Sequence, residues 1–216
     1  MRVILQTVSR LLLLLALPAT LAAQTPPDLA RERAEFAAWL ARAPNSPYAA
    51  VSLSPARYGP IRNPSPPRFY PFSATAEVTG TLVRPPRSRT QRMLTLDGVE
   101  VEATDAGTFG VRWGGRLTSL RVYRVPVPGT EESELTIYFR DSTNAHGTYP
   151  AGRFVTLIPI PDNRYRADFN RARNPFCAYS SVYPCPIPWP GNEIPAKVEA
   201  GERYEPHRQP SATRLP

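Results

Sequence analysis

The sequence is poor in lysine, cysteine and histidine, and each shortage narrows the classes of protein that it can encode. Lys197 is the single lysine, so the 26 basic side chains are almost all arginines, and the formal net charge is +8. The arginines are scattered and interleaved with acids, which argues against a nucleic-acid-binding surface. With two cysteines, two histidines and no Cys-x-x-Cys motif, metal binding is a weak interpretation.

Long apolar runs are also scarce, and the clearest one lies near the N-terminus. Residues 11–17 form an apolar block that follows a short basic region and precedes the small residues at 18–23. This layout is typical of a secretory signal peptide, and the block is shorter than the ~20 residues that span a bilayer. We therefore predict cleavage near Ala23, a secreted or periplasmic location, and no membrane span after cleavage.

Segment 24–42 is predicted to hold one amphipathic helix. Apolar residues recur at helical spacing over residues 29–41, and Asp28 is a favourable N-cap that follows two prolines. The apolar stripe of Phe36, Trp39 and Leu40 is expected to pack against the rest of the domain.

The next segment, 43–72, is rich in both proline and aromatic residues. Its eight prolines exclude a helix, but a disordered linker would contain fewer aromatic side chains. We predict an extended arm that lies across the surface of the domain. At the other end of the chain, the polar, proline-punctuated tail 203–216 is expected to be frayed.

Residues 73–202 are predicted to form a mainly β domain, an antiparallel meander that closes as a sandwich or barrel. Asp97-Gly98 stands between two short strand-like runs, and Gly114-Gly115 does the same further on, as in β-hairpins. The predicted strands cover residues 74–83, 93–96, 99–102, 108–113, 116–125, 134–140, 154–158 and 165–169.

Most of the polar residues with chemical potential lie in 139–202, here called the polar stretch. Its arginines offer planar forks that suit anions, its Asp and Asn side chains complement hydroxyl groups, and its Tyr and Trp rings can stack on apolar faces. Cys177 and Cys185 also lie here, and as an even pair in an exported chain they predict one disulfide. The strand patterns suggest that some of the polar residues meet at one end of the sheet.

Several motifs of this stretch carry a resemblance to a known family. FRDST…TYPAGRF, DFNRARNPFCAYS, CPIPWPGN and KVEAGERY resemble the bacterial domain-of-unknown-function family numbered 1684, and RERAEFAAWLARAPNSPY resembles its opening helix and arm. The resemblance covers about residues 30–204 and implies no particular activity. Gly147, Arg173 and Trp189 depart from the family pattern, which often has an acid, a tyrosine and a proline there.

The motifs and their chemistry together give a set of candidate ligand-binding residues. We predict that the protein binds a polar or anionic small molecule or a glycan through an Arg/Asp/Asn cluster. The sequence implies no cofactor. The candidates are Arg140, Asp141, Tyr149, Arg153, Asp168, Asn170, Asn174, Tyr179, Asn192 and Glu202.

Two other interpretations remain open. Asp141 and Asp168, or Glu202, could serve a hydrolase of envelope material as a carboxylate pair. Alternatively, the polar residues are separate local braces: Asp168 and Asn170 would form a turn, while Asn192 and Glu202 would tie down the proline-rich covering chain. A Ser nucleophile is a weaker interpretation because no Gly-x-Ser-x-Gly elbow is present.

Overall fold

The computed structural model of the protein describes residues 24–49, 66–127, 129–187 and 189–205. The predicted signal segment 1–23 and residues 50–65 of the predicted arm lie outside the described residues. The described helix and strands are α1 (Pro27–Arg42), β1 (Glu77–Val83), β2 (Thr90–Leu94), β3 (Glu100–Trp113), β4 (Arg116–Pro126), β5 (Ser133–Asp141), β6 (Arg153–Ile160), β7 (Arg164–Asp168) and β8 (Glu193–Ile194).

Six of these strands close into an antiparallel barrel. Their order is β1-β7-β6-β5-β4-β3, and the pairing of β1 with β3, where Leu82 lies opposite Phe109, completes the ring. Strand β2 extends β3 as a hairpin, and β8 pairs in parallel with β5. The predicted mainly β fold with an N-terminal helix is therefore confirmed, and of the two closed forms considered the barrel is the one observed.

Strand β3 is longer than the sequence suggested. The runs at 99–102 and 108–113 were predicted as separate strands, but they belong to one strand of 14 residues. A β-bulge between Asp105 and Gly107 lets the pairing with β4 shift and continue. The backbone of Gly107 has φ +126°, and a Cβ there would lie 2.1 Å from the carbonyl oxygen of Val83. Glycine at this bulge is what permits β1 to approach β3.

The barrel interior follows from the alternation of side chains along each strand. On β6, Val155 and Leu157 point inward and are almost fully buried, whereas Thr156 points outward and is exposed. Burying one large aliphatic or aromatic side chain contributes ~1.5–3 kcal/mol, so this layer dominates the stability of the domain. The inner layer includes Phe109, Val111, Leu120, Val122, Ile137, Phe139, Val155, Leu157, Ala167 and Phe169.

Helix α1 packs against the rest of the domain, as its apolar stripe predicted, on a cluster that includes Tyr149, Cys177 and Tyr179. Leu40 is fully buried, and Phe36 and Trp39 pack against the same apolar cluster. The predicted N-cap is wrong by two residues: Pro26 holds that position, and Asp28 lies inside the first turn. Proline is well tolerated at the start of a helix because the first N–H groups have no partner within the helix, so α1 begins at Pro27.

Residues 169–205, here called the closing segment, wrap back over the barrel. This segment contains two 3-10 turns, β8 and a disulfide between Cys177 and Cys185. The predicted disulfide is therefore present. Phe169 belongs to the first of these turns and not to β7, which ends at Asp168, one residue earlier than expected.

The closing segment also holds the described end of the arm. The backbone N–H of Tyr70 donates to the carbonyl of Gly201, and that of Arg203 donates to Arg68. The chain is therefore still paired at 203, where fraying was expected to begin; residues 206–216 lie outside the described residues. Over the described part of the chain, no helix has the length and apolar character needed to cross a membrane.

A second aromatic layer lies on the outside of the barrel wall. Tyr138 of β5 and Phe154 of β6 stack with their ring centroids 4.1 Å apart, and Trp189 of the closing segment packs edge-on against Tyr138. Tyr123 of β4 contacts Trp189, with 4.4 Å between the ring centroids. The closing segment thus uses aromatic contacts to bury part of the outer wall and leaves the neighbouring part open.

Candidate functional site

Asp141 and Arg153 form an ion pair in the barrel interior. Arg153 begins β6 and is fully buried, and its Nη2 lies 2.9 Å from Oδ2 of Asp141 at the end of β5. The other carboxylate oxygen accepts hydrogen bonds from the backbone N–H groups of Thr143 and Val198. Both side chains point inward because each stands at an inward position of its strand, which brings them together at one end of the sheet.

The terminal N–H groups of Arg153 also bind the closing segment. Its guanidinium donates to the backbone carbonyls of Val198, Ala200 and Glu202. Burial lowers the pKa of Arg153, and the Asp141 carboxylate counteracts that shift. Three bonds to one short stretch of chain make this ion pair an anchor for the closing segment and leave no open face toward solvent.

Glu202 forms a second buried network with two other candidates. Its Oε2 accepts a 2.9 Å hydrogen bond from the backbone N–H of Asn174, and its Oε1 accepts from the hydroxyl of Tyr179. Burial raises the pKa of Glu202 to about 7, while the bonds from Tyr179 and Asn174 and the charge of Arg173 act in the opposite direction. The backbone carbonyl of Glu202 accepts from Arg153, so the two networks adjoin.

Asp168 and Asn170 form a local turn, as one of the interpretations proposed. Asp168 accepts from the backbone and side-chain N–H groups of Asn170 and from Nε of Arg171. The amide of Asn170 in turn bonds both the N–H and the carbonyl of Ser73, just before β1. Asn170 therefore fastens the start of the closing segment to the start of the barrel.

Asn192 performs a similar task between β4 and β5. Its side-chain amide accepts from the backbone N–H of Arg121 and donates to the carbonyls of Arg121 and Tyr138. The backbone pairing of β4 with β5 ends at Tyr123 and Thr136. Asn192 thus supplies hydrogen bonds that a neighbouring strand would otherwise make.

The last two candidates lie apart from these networks. Arg140 points to the opposite side of β5 from Asp141 and is half-exposed, with its nearest acid, Glu193, at 3.8 Å. The hydroxyl of Tyr149 lies 3.1 Å from the sulfur of Cys185 and 3.4 Å from that of Cys177, beside the disulfide.

The ten candidates therefore do not surround a common hollow. Asp141, Arg153, Asn174, Tyr179 and Glu202 form adjoining networks in the interior, whereas Asp168 faces the outside of β7. A carboxylate pair for hydrolysis would need Asp141 and Asp168 to face the same substrate, and the barrel wall places them on its two sides. Glu202 is itself fully buried.

An apolar hollow lies on the outer wall, in a region that the sequence motifs did not indicate. We call it the outer groove; it has a volume of about 240 Å³. It runs between the β2–β3 turn, the outward side of β5 and β6, and the aromatic layer. Its walls are Met93, Leu94, Thr95, Leu96, Asp97, Val125, Pro126, Val127, Glu134, Thr136, Phe154, Thr156, Phe176 and Trp189.

A second hollow adjoins the outer groove. We call it the arginine depression; it has a volume of about 300 Å³. It shares Leu96, Phe154 and Thr156 with the outer groove, so the two hollows follow one another along the outward face of β6. The other residues that line it are Glu32, Ile158, Arg166, Asp168, Arg171 and Arg173.

Part of the signal for these hollows was present in the sequence. Alternation along 164–168 already placed Arg166 and Asp168 on the outward side of their strand, opposite the aromatic residues. The missing information was the position of the closing segment, which packs Trp189 against Tyr138 but leaves Thr156 exposed.

The described residues also show no group of three or more His, Cys, Asp or Glu side chains that could hold a metal ion. Among the oxygen-bearing candidates, the side chains of Asp168 and Asn170 bond each other, and the amide of Asn174 donates to the carbonyl of Arg203.

The fold and these hollows define a small closed β-barrel whose interior is packed and whose outer wall carries an open groove. The chain belongs to the family described as "Protein of unknown function (DUF1684)", whose profile matches residues 67–203. The family resemblance in the sequence is thereby confirmed over that range.

Among solved structures, the chain is similar to an uncharacterized protein of Haloarcula marismortui determined by solution NMR. The TM-score is 0.57 and the sequence identity is 24%, with 82% of this chain and 92% of that chain covered. At that identity the likeness concerns the fold alone. No curated protein matches this chain.

Proposed function

We propose that the protein is a small-molecule binding protein and that its ligand lies in the outer groove. The observation that carries this proposal is the shape and chemistry of the groove, which is open to solvent and lined mainly by apolar side chains. Ligand sites are generally concave and largely apolar, with a few polar groups that fix orientation. Thr95, Thr136 and Thr156 supply hydroxyl groups of that kind.

The buried polar networks support this proposal by holding the groove in shape. The N–H of Asn192 donates to the carbonyl of Trp189, and the Asn192 side chain binds β4 and β5. Trp189, which lines the groove, is therefore held in place against the barrel wall. A ligand that bound Arg153 directly would first have to displace three backbone carbonyls.

The size of the groove limits the ligand to a compact molecule. Sites for drug-sized ligands usually measure ~300–1,000 Å³, and the outer groove lies below that range. A single alkyl chain or one small ring system fits such a space better than a two-chain lipid does. An alkyl chain in the groove would lie beside the exposed hydroxyl of Thr156.

The test uses a neutral apolar probe, N-phenyl-1-naphthylamine, whose fluorescence rises when it leaves water. We expect the folded protein to enhance its fluorescence and 1-decanol to displace it. Thr156 lines the groove from an outward, exposed position, so Thr156→Trp places an indole in the groove and should weaken probe binding at least tenfold with little change in thermal stability.

The matched control is Thr81→Trp, which adds the same indole at an exposed position of β1 that lines neither hollow. This variant should bind the probe as the parent does. If the parent gives no enhancement, or if both tryptophan variants keep full binding, the outer groove is not the ligand site and the proposal fails.

A further inference from the structure

The arginine depression adds a polar end to the outer groove, and it bears on the chemistry of the ligand. Because the two hollows share Leu96, Phe154 and Thr156, one ligand can occupy both. Any role for the depression rests on the proposed function, since a ligand must first lie in the groove. The chemistry of that ligand then depends on which charged group of the depression is available to it.

Two of the three arginines are already paired within the protein. Arg171 contacts Asp28, Glu32 and Asp168. Arg173 contacts the same Glu32 at 2.9 Å. The acids of the depression are thus committed to these two arginines, and their charges largely cancel.

Arg173 is further restricted by stacking. Its guanidinium lies 3.9 Å from the ring centroid of Phe36 in α1. This contact holds Arg173 against the helix, so its task is to join α1 to the closing segment.

Arg166 is different because its charge is only weakly compensated. The nearest acid is Glu77, with 3.8 Å between Nη1 and the carboxylate oxygen, which is beyond hydrogen-bonding distance. Its Nε is buried and has no hydrogen-bond partner, and 39% of its side chain is exposed. Arg166 lies opposite Ile158 on the outward face of the β6–β7 pair, and Ile158 is two residues along β6 from Thr156, which lines both hollows.

We infer that the ligand is a single-chain amphiphile with a carboxylate head, its chain in the outer groove and its head on Arg166. The planar guanidinium fork matches the two oxygens of a carboxylate and can bind them bidentately. Leu96, Phe154 and Ile158 line an apolar path from the groove toward that fork. A medium-chain fatty acid is the simplest ligand of this kind.

The experiment compares decanoate with 1-decanol as displacers of N-phenyl-1-naphthylamine, both below their aggregation limits. In the parent, decanoate should bind roughly tenfold more tightly, as expected of a charge-assisted hydrogen bond gained in place of water. Arg166→Gln should abolish this preference and leave decanol binding unchanged. Arg166→Lys, which keeps the charge but not the fork, should fall between the two.

The control is Arg164→Gln, which removes a neighbouring outward arginine of β7 whose partner is Thr79 and which does not line the depression. It should keep the full preference for decanoate. Equal binding of decanoate and decanol by the parent, or an undiminished preference in Arg166→Gln, would overturn this inference and leave the groove as a ligand site. Failure of both compounds to bind would instead overturn the proposed function.

Discussion

At the scale of single residues, buried polar side chains take over hydrogen bonds that a neighbouring strand would supply. The amides of Asn170 and Asn192 each bond both an N–H and a carbonyl of a distant backbone segment. Arg153 extends the same principle with a charge, because its guanidinium binds three carbonyls while Asp141 neutralises it. Buried donors and acceptors left without partners cost ~1–3 kcal/mol each, so these residues maintain the closure of the fold.

Glu202 makes the stability of the folded protein depend on pH. Its pKa is about 7 in the folded protein because burial disfavours the charged form, against an ordinary value of 4.5. A raised carboxyl pKa means that the folded state binds more protons than the unfolded state between these values. The stabilisation of the folded state by protonated Glu202 is therefore fully present below pH 4.5. It is lost as the pH rises to about 7, by roughly 3 kcal/mol in total.

We predict that Glu202→Gln removes this loss of stability with rising pH. Urea unfolding should show the free energy of unfolding of the parent falling, relative to the variant, from pH 4.5 to pH 7. Glu193→Gln is the matched control, since that carboxylate is 67% exposed on the surface. Parallel stability curves for the parent and Glu202→Gln would show that the buried carboxyl does not titrate as described.

At the scale of elements, the barrel depends on one strand, β3, that pairs with three others. Strand β3 pairs with β2 along its first residues and with β4 along most of its length, and it meets β1 near Phe109. The bulge at Gly107 reconciles these pairings. Its positive φ and its closeness to Val83 leave no room for a side chain.

Gly107→Ala should therefore destabilise the protein far more than an ordinary glycine replacement. The new methyl would meet the backbone of Val83, so either the β1–β3 contact or the bulge must move, and we expect a loss of at least ~3 kcal/mol. Gly115→Ala is the comparison, because Gly115 also has a positive φ, +79°, but nothing lies within 4 Å. Backbone strain alone costs it roughly 1 kcal/mol.

Chemical denaturation of the two variants measures this difference. If both lose the same small amount, the bulge is not a tight contact between β1 and β3. A large loss at Gly107 alone would locate the closure of the barrel at this residue.

The strand alternation shows how far local pattern determines this fold. Hydrophobic alternation identified strands such as 134–140, and Asp97-Gly98 identified the first hairpin, because these signals depend on neighbours in the sequence. The β1–β3 closure could not be predicted, since nothing local to Leu82 specifies Phe109 as its partner. The bulge was likewise interpreted as a break, because glycine and polar residues within a strand resemble a loop.

The candidate site was predicted in part for the same reason. The sequence suggested that some polar residues meet at one end of the sheet, and Asp141 and Arg153 do meet there, at inward positions of adjacent strands. Asn192 and Glu202 were chosen from motifs, and their partners Arg121 and Asn174 lie 71 and 28 residues away along the chain. The outer groove was missed altogether because it exists only where the closing segment stops covering the barrel wall.

At the scale of the whole molecule, helix α1 and the closing segment cover part of a packed barrel, and the hollows lie on its outer wall where this cover ends. Arg33 of α1 donates to the carbonyl of Asn170, and the stretch around Glu202 is held by Arg153. Two residues that line the groove flank the disulfide loop in the sequence: Phe176 precedes Cys177, and Trp189 follows Cys185. The shape of the groove is consequently linked to the Cys177–Cys185 bond.

The last prediction concerns that link. Replacing both Cys177 and Cys185 with serine should lower the free energy of unfolding by ~2.5 kcal/mol, the chain-entropy value for so short a loop. It should also weaken binding of the apolar probe at temperatures where the variant is still folded, because Phe176 and Trp189 lose their covalent tie. Leu120→Ala is the control: it costs roughly 2–5 kcal/mol inside the barrel, away from the groove. If the serine variant and Leu120→Ala bind the probe equally well, the disulfide stabilises the chain without shaping the groove; selective loss in the serine variant would show that the closing segment forms the site.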